Sequence, residues 1–188
     1  MAAVMLPALP RTAKVRPRVL RFGNDLTPAL GGPSQRLLRL GARFSIEVTL
    51  PPLGDACARA WLAARMRSEA DGSTVRLALP QRAARPVGAV AGGTANAAQI
   101  FADFLPGGSG VIEPGMLFSF VADGRSYLHM VTTTAGGGIG VAPRLRVGFE
   151  LENLEFENPV VEGYLDEVAW DLEALRFTGQ SFVLTEER

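Results

Sequence analysis

The sequence contains few of the residues from which most enzyme sites are built. Among its 188 residues there is one histidine, His129, and one cysteine, Cys57. A single cysteine excludes an intramolecular disulfide and a metal site made of several thiolates. A Ser-His-Asp or Cys-His arrangement would have to use His129, which lies in the middle of a strand-like apolar pattern. We therefore predict a protein that is not an enzyme, with no catalytic residue, no metal ligand and no cofactor.

Long apolar runs are also missing. None approaches the roughly 18 residues that a membrane-spanning helix needs, so we expect no membrane association. The apolar start, residues 1–14, is short and contains Pro7 and Pro10. We interpret it as an N-terminal arm.

Glycine and proline are frequent, with 21 and 13 residues, whereas aromatic residues make up only 7%. Frequent turn residues favour many short strands over long helices. The clearest strand is Phe44 to Leu50, in which apolar and polar side chains alternate. Val75 to Leu79 alternates in the same way. Asp123-Gly124 between two apolar runs predicts a tight hairpin.

The other predicted strands are less regular. They are Val19–Phe22, Leu117–Val121, Tyr127–Thr132, Ile139–Val141, Leu145–Phe149, Leu154–Phe156, Val160–Leu165 and Phe177–Leu184, with Gly23-Asn24-Asp25 as a turn after the first. Residues 83–110 are dominated by small side chains and are interpreted as a linker with a short element at Gln99–Phe104. The predicted fold is therefore mainly β.

One helix is predicted over residues 55–70. Asp55 is the expected N-cap, and Asp71-Gly72 is the expected stop. Cys57, Trp61 and Ala64 share a stripe that we expect to pack on the sheet, which makes Cys57 a small buried apolar residue.

Charge is distributed unequally along the chain, although the formal net charge is zero. Residues 1–40 hold seven basic side chains against Asp25 alone, and residues 148–188 hold eleven acidic side chains against Arg176 and Arg188. Opposite charge at the two ends favours contacts between neighbouring subunits. The acidic end and the lack of interleaved aromatics argue against nucleic acid binding.

Acidic residues and glycines each cluster in parts of the sequence where a binding site could lie. The acidic residues of the last third match no calcium loop, and we interpret them as a solvated or neighbour-facing surface. They are Glu150, Glu152, Glu155, Glu157, Glu162, Asp166, Glu167, Asp171 and Glu173. The glycine clusters at residues 107–110 and 136–140 open no convincing helix, so we interpret them as loops rather than phosphate-binding sites.

Three stretches of the sequence carry motifs that belong together. The first runs from Gly31-Gly32-Pro33-Ser34-Gln35-Arg36 through Leu40-Gly41-Ala42-Arg43-Phe44 to Leu50-Pro51-Pro52-Leu53 and a Trp-bearing helix. The second runs from Ile112-Glu113-Pro114-Gly115-Met116-Leu117 through Gly124 and Tyr127 to Ala142-Pro143-Arg144-Leu145-Arg146. The third comprises Pro159-Val160-Val161-Glu162-Gly163 and Ser181 to Glu187. Together these stretches resemble the distal tail or tail-tip proteins of tailed bacteriophages, which have an acid where this chain has Met116.

This resemblance implies a virion structural protein, made in the host cytoplasm, that acts through its surfaces. Its relatives form a ring, typically a hexamer, between the tail tube and the tail-tip hub proteins. The implied fold is a β-sandwich-like belt domain with an inserted small β-barrel-like subdomain. We expect the core at residues 15–85 plus 148–188, and the linker and inserted subdomain at residues 86–147.

Two alternatives remain open. A carbohydrate- or receptor-binding β module of the tail tip would expose Trp61, Trp170, Tyr127 or Tyr164 together around a groove. A small hydrolase would gather acidic residues of the last third in a deep pocket.

Overall fold

The computed structural model describes residues 3–28, 31–81, 86–135, 138–166, 172–173, 176–177 and 181–186. Within these residues the protein is mainly β, with a single helix.

The elements follow one another along the chain without a repeat. In the first half they are β1 (Val4–Met5), β2 (Lys14–Leu26), β3 (Gln35–Thr49), α1 (Asp55–Asp71), β4 (Val75–Ala78), β5 (Val87–Gly93) and β6 (Gln99–Ser109). In the second half they are β7 (Leu117–Ala122), β8 (Arg125–Ala135), β9 (Gly138–Ala142), β10 (Phe149–Asn153), β11 (Val160–Leu165), β12 (Leu172–Glu173), β13 (Arg176–Phe177) and β14 (Ser181–Glu186). Strands β12 and β13 pair only with each other among the described residues.

The first sheet has six strands in the order β1-β4-β11-β14-β3-β2. Strand β3, next to the edge strand β2, follows the predicted alternation, because Phe44, Ile46, Val48 and the following Leu50 are all buried. On β4, Val75 and Leu77 are buried in the same apolar cluster, and so is Leu79 directly after this strand, as their alternate spacing predicts. The sequence interpretation of these two strands is confirmed.

Helix α1 packs on this sheet through Trp61, whose ring lies 5.8 Å from that of Phe182 on β14. The helix ends as predicted at Gly72, which has φ 58° and donates its N–H to the carbonyl of Glu69, while the N–H of Ser73 is donated to the carbonyl of Ser68. Its start differs from the prediction. Gly54 is the N-cap, and Asp55 is the first helical residue, where its carboxylate pairs with Arg59 at 3.0 Å.

The predicted apolar stripe of α1 was partly wrong, because the buried face is rotated from it. Its buried residues are Ala58, Trp61, Arg65 and Ser68. Cys57 is exposed, one position away from the buried Ala58. The ring of Trp61 determines which face is covered, and the small residues around it provide little apolar area to oppose that choice.

The second sheet also has six strands, in the order β10-β5-β6-β9-β8-β7. It is curled, because Ser119 on β7 and Glu155, just after β10, exchange both backbone hydrogen bonds. Across the same junction the rings of Phe120 and Phe149 stack with centroids 3.9 Å apart. The result is a half-barrel that buries its own apolar cluster.

The tight hairpin predicted at Asp123-Gly124 is confirmed between β7 and β8. Ala122 pairs with Arg125 across a two-residue loop, and Asp123 and Gly124 have φ values of 52° and 77°. Positive φ at both positions is the requirement of the tight hairpin turn that Asp-Gly favours.

Several boundaries differ from the sequence interpretation. The arm contributes Val4 and Leu6 to the core, because β1 pairs in parallel with β4. Strand β2 continues through the predicted turn at residues 23–25 to Leu26, since its partner β3 is long enough to pair with it from Lys14 to Leu26. The predicted linker at residues 83–110 holds two strands, β5 and β6, in the part that is described.

Other differences lie after residue 140. The strand expected at residues 145–149 begins at Phe149 instead, and residues 154–156 form only the bridge at Glu155. Strand β10 belongs to the second sheet, so that sheet extends beyond residue 147. Strand β11 has the predicted bounds, whereas the last predicted strand is found at Ser181–Glu186. Residues 136–137 of the second glycine cluster lie outside the described residues, and its remainder forms β9.

Candidate functional site

Two buried carboxylates join the first sheet to the second. Glu162 on β11 is 5% exposed and accepts hydrogen bonds from Thr74 Oγ1 at 3.0 Å, Arg76 Nε at 2.7 Å and the backbone N–H of Ser126 at 2.9 Å. Arg76 also donates to the carbonyl of Gly124 in the hairpin turn. Strand β11 therefore holds the β7–β8 hairpin through a single charged group.

Glu186 on β14 makes the second connection. Its Oε2 accepts from the backbone N–H of Phe44 at 3.0 Å, and its Oε1 accepts from the N–H of Leu128 at 2.9 Å. Arg146 Nη2 lies 2.6 Å from the same Oε1. Burial raises the pKa of Glu186, while Arg146 and the two N–H donors oppose that shift.

Gln81 and Ser119 extend this junction with neutral groups. The Gln81 amide donates to the carbonyls of Leu117 and Phe156 at 3.1 and 2.9 Å, and its oxygen accepts the N–H of Leu117 at 2.7 Å. Ser119 Oγ accepts the N–H of Val160 at 2.9 Å. We call Gln81, Ser119, Glu162 and Glu186 the sheet junction. Its polar atoms are engaged in joining two sheets, which is a structural role.

His129 packs inside the second sheet. It is 1% exposed, and its ring lies 5.5 Å from Phe120 and 5.8 Å from Phe118. Nδ1 donates to the carbonyl of Pro143 at 2.9 Å, because that carbonyl can only accept. Nε2 is buried without a partner among the described residues. Burial lowers the pKa of His129 from 6.5 to about 4, so the ring is neutral at physiological pH.

The acidic residues of the last third divide into two groups. Glu150, Glu152, Glu155 and Glu157 are exposed, as an acidic surface requires. For Glu162 the prediction of a solvated or neighbour-facing side chain was wrong, because this residue is buried in the sheet junction. Glu167, Asp171 and the side chain of Glu173 lie outside the described part. No group of three His, Cys, Asp or Glu side chains suited to a metal ion occurs among the described residues.

Strands β2 and β10 are the charged edges of the two sheets. Strand β2 pairs only with β3 among the described residues, and Lys14, Arg16, Arg18 and Arg21 along it are all exposed. Arg16 and Arg18 lie 3.8 and 3.3 Å from Glu47 on β3, yet their side chains remain 67% and 70% exposed. Strand β10 carries Glu150 and Glu152 at the edge of the second sheet. The opposite charges of the sequence are therefore displayed on separate edges.

An open concavity of about 760 Å³ lies beside β10. It is lined by Gly92, Gly93, Thr94, Ala95, Gln99, Phe101, Gly148, Phe149 and Glu150. Phe101 is 76% exposed, and Leu151 on the neighbouring β10 is 81% exposed. These two residues are the most exposed large apolar residues that the structure describes, and the sequence patterns alone did not single them out.

The aromatic residues named for a ligand platform are not gathered at the surface in the described part of the chain. Trp61 on α1 and Tyr127 on β8 are buried in two different apolar clusters, and Tyr164 is 47% exposed on β11. Trp170 lies outside the described residues.

The sequence could have indicated one junction residue. Phe182, Leu184 and Glu186 alternate along β14, and all three are buried on one side. An acid in phase with two apolar residues indicates a buried carboxylate with partners. Gln81 follows Leu79 by two positions, but Pro80 ends that alternating pattern, so Gln81 gave no comparable signal.

No helix among the described residues is both long enough and apolar enough to cross a membrane. In comparisons with known proteins, the chain matches no family model and no curated protein.

Proposed function

We propose that this protein is a structural component of a bacteriophage tail: the distal tail protein, forming a ring that joins the tail tube to the tail-tip hub. The observation that carries the proposal is the placement of opposite charge on two separate sheet edges, basic on β2 and acidic on β10. A ring subunit must present unlike, complementary surfaces on its two sides.

The sheet junction supports a structural role. Glu162 and Glu186 are the buried acids of the described chain, and their oxygens already accept hydrogen bonds from arginine, hydroxyl and backbone N–H groups. A carboxylate that acts as a general acid or base must reach a substrate instead. The deep pocket of acids that a small hydrolase would use does not occur among the described residues, because the other described acids of this region are exposed.

In this proposal the first sheet with α1 is the β-sandwich-like belt domain, and the curled second sheet is the small barrel-like subdomain. The chain leaves the first sheet after β4 and returns at β11, which is the next strand in that sheet. An inserted module has this connectivity, since its two ends must lie together on the host domain.

The test is direct localisation. Particles that carry this protein are labelled with an antibody against it, and electron microscopy should place the label where the tube meets the tip. The purified protein, mixed with the tail tube protein, should add a ring at one end of the tube. Label on the capsid or on fibres alone would contradict the proposal.

Carbohydrate or receptor binding is the second candidate, and one observation favours it. Phe101 is 76% exposed at the concavity, next to the polar side chains of Gln99 and Glu150. An open aromatic face beside hydrogen-bonding groups suits a sugar ring. Saturation-transfer NMR against host cell-wall saccharides would detect this binding, and Phe101→Ala should abolish it.

A further inference from the structure

We infer that the outer face of β10, β5 and β6, centred on Phe101 and Leu151, binds the basic edge strand β2 of a second copy of this chain. This inference rests on the proposed ring-forming function and names the surfaces that would form its subunit contact. We call the first surface the acidic face, comprising Phe101, Glu150, Leu151 and Glu152, and the second the basic edge, comprising Lys14, Arg16, Arg18, Val19, Leu20 and Arg21.

Phe101 is placed as an anchor for a partner. It pairs with Gly92 on β5 and with Gly138 on β9, so no side chain stands beside its ring on either neighbouring strand. Its neighbour Ile100 is fully buried, which directs Phe101 to the outside. Exposed aromatic side chains of this kind dominate the energetics of protein interfaces when a partner covers them.

Leu151 is held outward by the backbone. The pairing of β10 with β5 is irregular between Phe149 and Glu152, and Leu151 has φ 46°, a left-handed conformation. A leucine in this region is strained, because its Cβ crowds the backbone, and such strain concentrates at functional sites. Here the strain presents an apolar side chain to solvent that the regular strand would not present.

The charges on the two surfaces are complementary. Glu150 and Glu152 stand on either side of Leu151, whereas Lys14 and Arg21 lie on the basic edge with Arg16 and Arg18 between them. The basic edge also exposes apolar area, since Val19 and Leu20 are 39% and 37% exposed. Both surfaces therefore combine an apolar centre with flanking charge of one sign, and the signs are opposite.

The contact is made by side chains rather than by extending a sheet. Pro17 lies within β2 and has no N–H, so it interrupts a continuous backbone ladder along that edge. Because the two surfaces are different, each copy uses one of them on each side. Such head-to-tail contacts close into a ring when the rotation between copies allows it.

The experiment measures the mass of the full chain by light scattering and sedimentation velocity, at low and high salt. Lys14→Glu with Arg21→Glu reverses the basic edge, and Glu150→Lys with Glu152→Lys reverses the acidic face. Arg16 and Arg18 are left unchanged because they pair with Glu47 in the same subunit. Each reversed variant should assemble at least about tenfold more weakly than wild type, since like charges then face each other.

Mixing the two reversed variants should restore assembly, because opposite charges then meet at each contact between unlike variants. The acidic edge of the first variant meets the basic face of the second, and the basic edge of the second meets the acidic face of the first. Phe101→Ser and Leu151→Asn should each weaken assembly by about tenfold or more, the asparagine being chosen because it tolerates positive φ. Arg67→Glu and Met66→Ser on α1 change charge and apolar area at exposed positions elsewhere, and should leave the mass unchanged. Circular dichroism melts show whether each variant is folded.

The outcomes separate the two proposals. If wild type assembles and folded reversed variants assemble equally well, the contact uses other surfaces: the inference is overturned and the ring proposal stands. If reversal weakens assembly but mixing does not restore it, the two surfaces do not meet each other, and the inference is again overturned. If wild type is monomeric alone and forms no ring on the tail tube, the proposed function is overturned as well.

Discussion

Glu186 and Leu128 lie 58 positions apart in the chain, and the carboxylate of Glu186 accepts the backbone N–H of Leu128 at 2.9 Å. The same carboxylate accepts the N–H of Phe44 on β3. One side chain on β14 thus satisfies backbone groups of both sheets. Because backbone donors that lose a buried partner cost free energy, the position of the second sheet depends on this residue.

Replacement of Glu186 should therefore destabilise the fold strongly. Glu186→Ala leaves Arg146 and two backbone N–H groups without their acceptor, and should lower the free energy of unfolding by about 3–5 kcal/mol. Glu186→Gln retains one acceptor oxygen and should cost less. Urea denaturation followed by tryptophan fluorescence measures both.

The matched control is Glu152→Gln at an exposed position, which should change the free energy of unfolding by no more than about 0.5 kcal/mol. Equal stabilities of Glu186→Ala and Glu152→Gln would show that the junction does not hold the sheets.

His129 should make stability depend on pH between 6.5 and about 4. Its folded pKa is lower than its unfolded pKa, so the unfolded state binds the proton more readily as the pH falls through this window. The resulting loss is about 3 kcal/mol at pH values below both pKa values. Glu186 acts in the opposite direction, because its raised pKa favours the folded state as the pH falls through its own titration.

The variant His129→Phe isolates this contribution, since it keeps a ring between Phe118 and Phe120 and retains Glu186. The difference in unfolding free energy between wild type and variant should change by about 3 kcal/mol between pH 7.5 and pH 4. A constant difference across that range would contradict the buried neutral ring.

Gly163 should not tolerate a side chain. A Cβ at this position would lie 1.9 Å from the carbonyl oxygen of Thr185 on the paired strand β14, and backbone cannot move aside cheaply. Gly163→Ala should lower the free energy of unfolding by about 1–3 kcal/mol. At Gly92 the nearest atom to an added Cβ is at 3.6 Å, so Gly92→Ala is the matched control and should change thermal stability little.

Cys57 should react with thiol reagents in the folded protein, because it is exposed on α1. Ellman's reagent without denaturant should modify the single thiol at a rate close to that of the unfolded chain. Cys57→Ser should abolish the reaction and leave the melting temperature unchanged within error. Protection of the thiol until urea is added would restore the buried position that its sequence pattern suggests.

The sequence predicts the parts of this fold that local chemistry controls. The alternation of Phe44, Ile46 and Val48 locates β3, and Asp123-Gly124 locates the hairpin, because both signals act within a few residues. The length of β2 and the strands of residues 86–109 are set instead by partners distant in the chain. The many glycines and alanines of residues 86–109 have little strand propensity of their own. Pairing of β2 with β3, and of β5 with β10, therefore decides the structure.

The surfaces were predicted in outline and not in position. Net charge identifies a basic start and an acidic end, but β2 and β10 lie on different sheets, and only the strand order reveals that both are edges. Phe101 gave no sequence signal because one exposed apolar residue is ordinary, and its isolation depends on Gly92 and Gly138 from two other strands.

Ala78 on β4 and Val160 on β11 are paired neighbours, although the whole second sheet lies between them in the chain. A gene could therefore gain, lose or exchange the intervening segment by recombination without altering the strand order of the first sheet. The carboxylates of Glu162 and Glu186 belong to the first sheet and would remain after such an exchange. Any replacement segment would therefore have to offer them new hydrogen-bond donors. Only segments that place donors beside these two buried carboxylates could be exchanged without destabilising the first sheet.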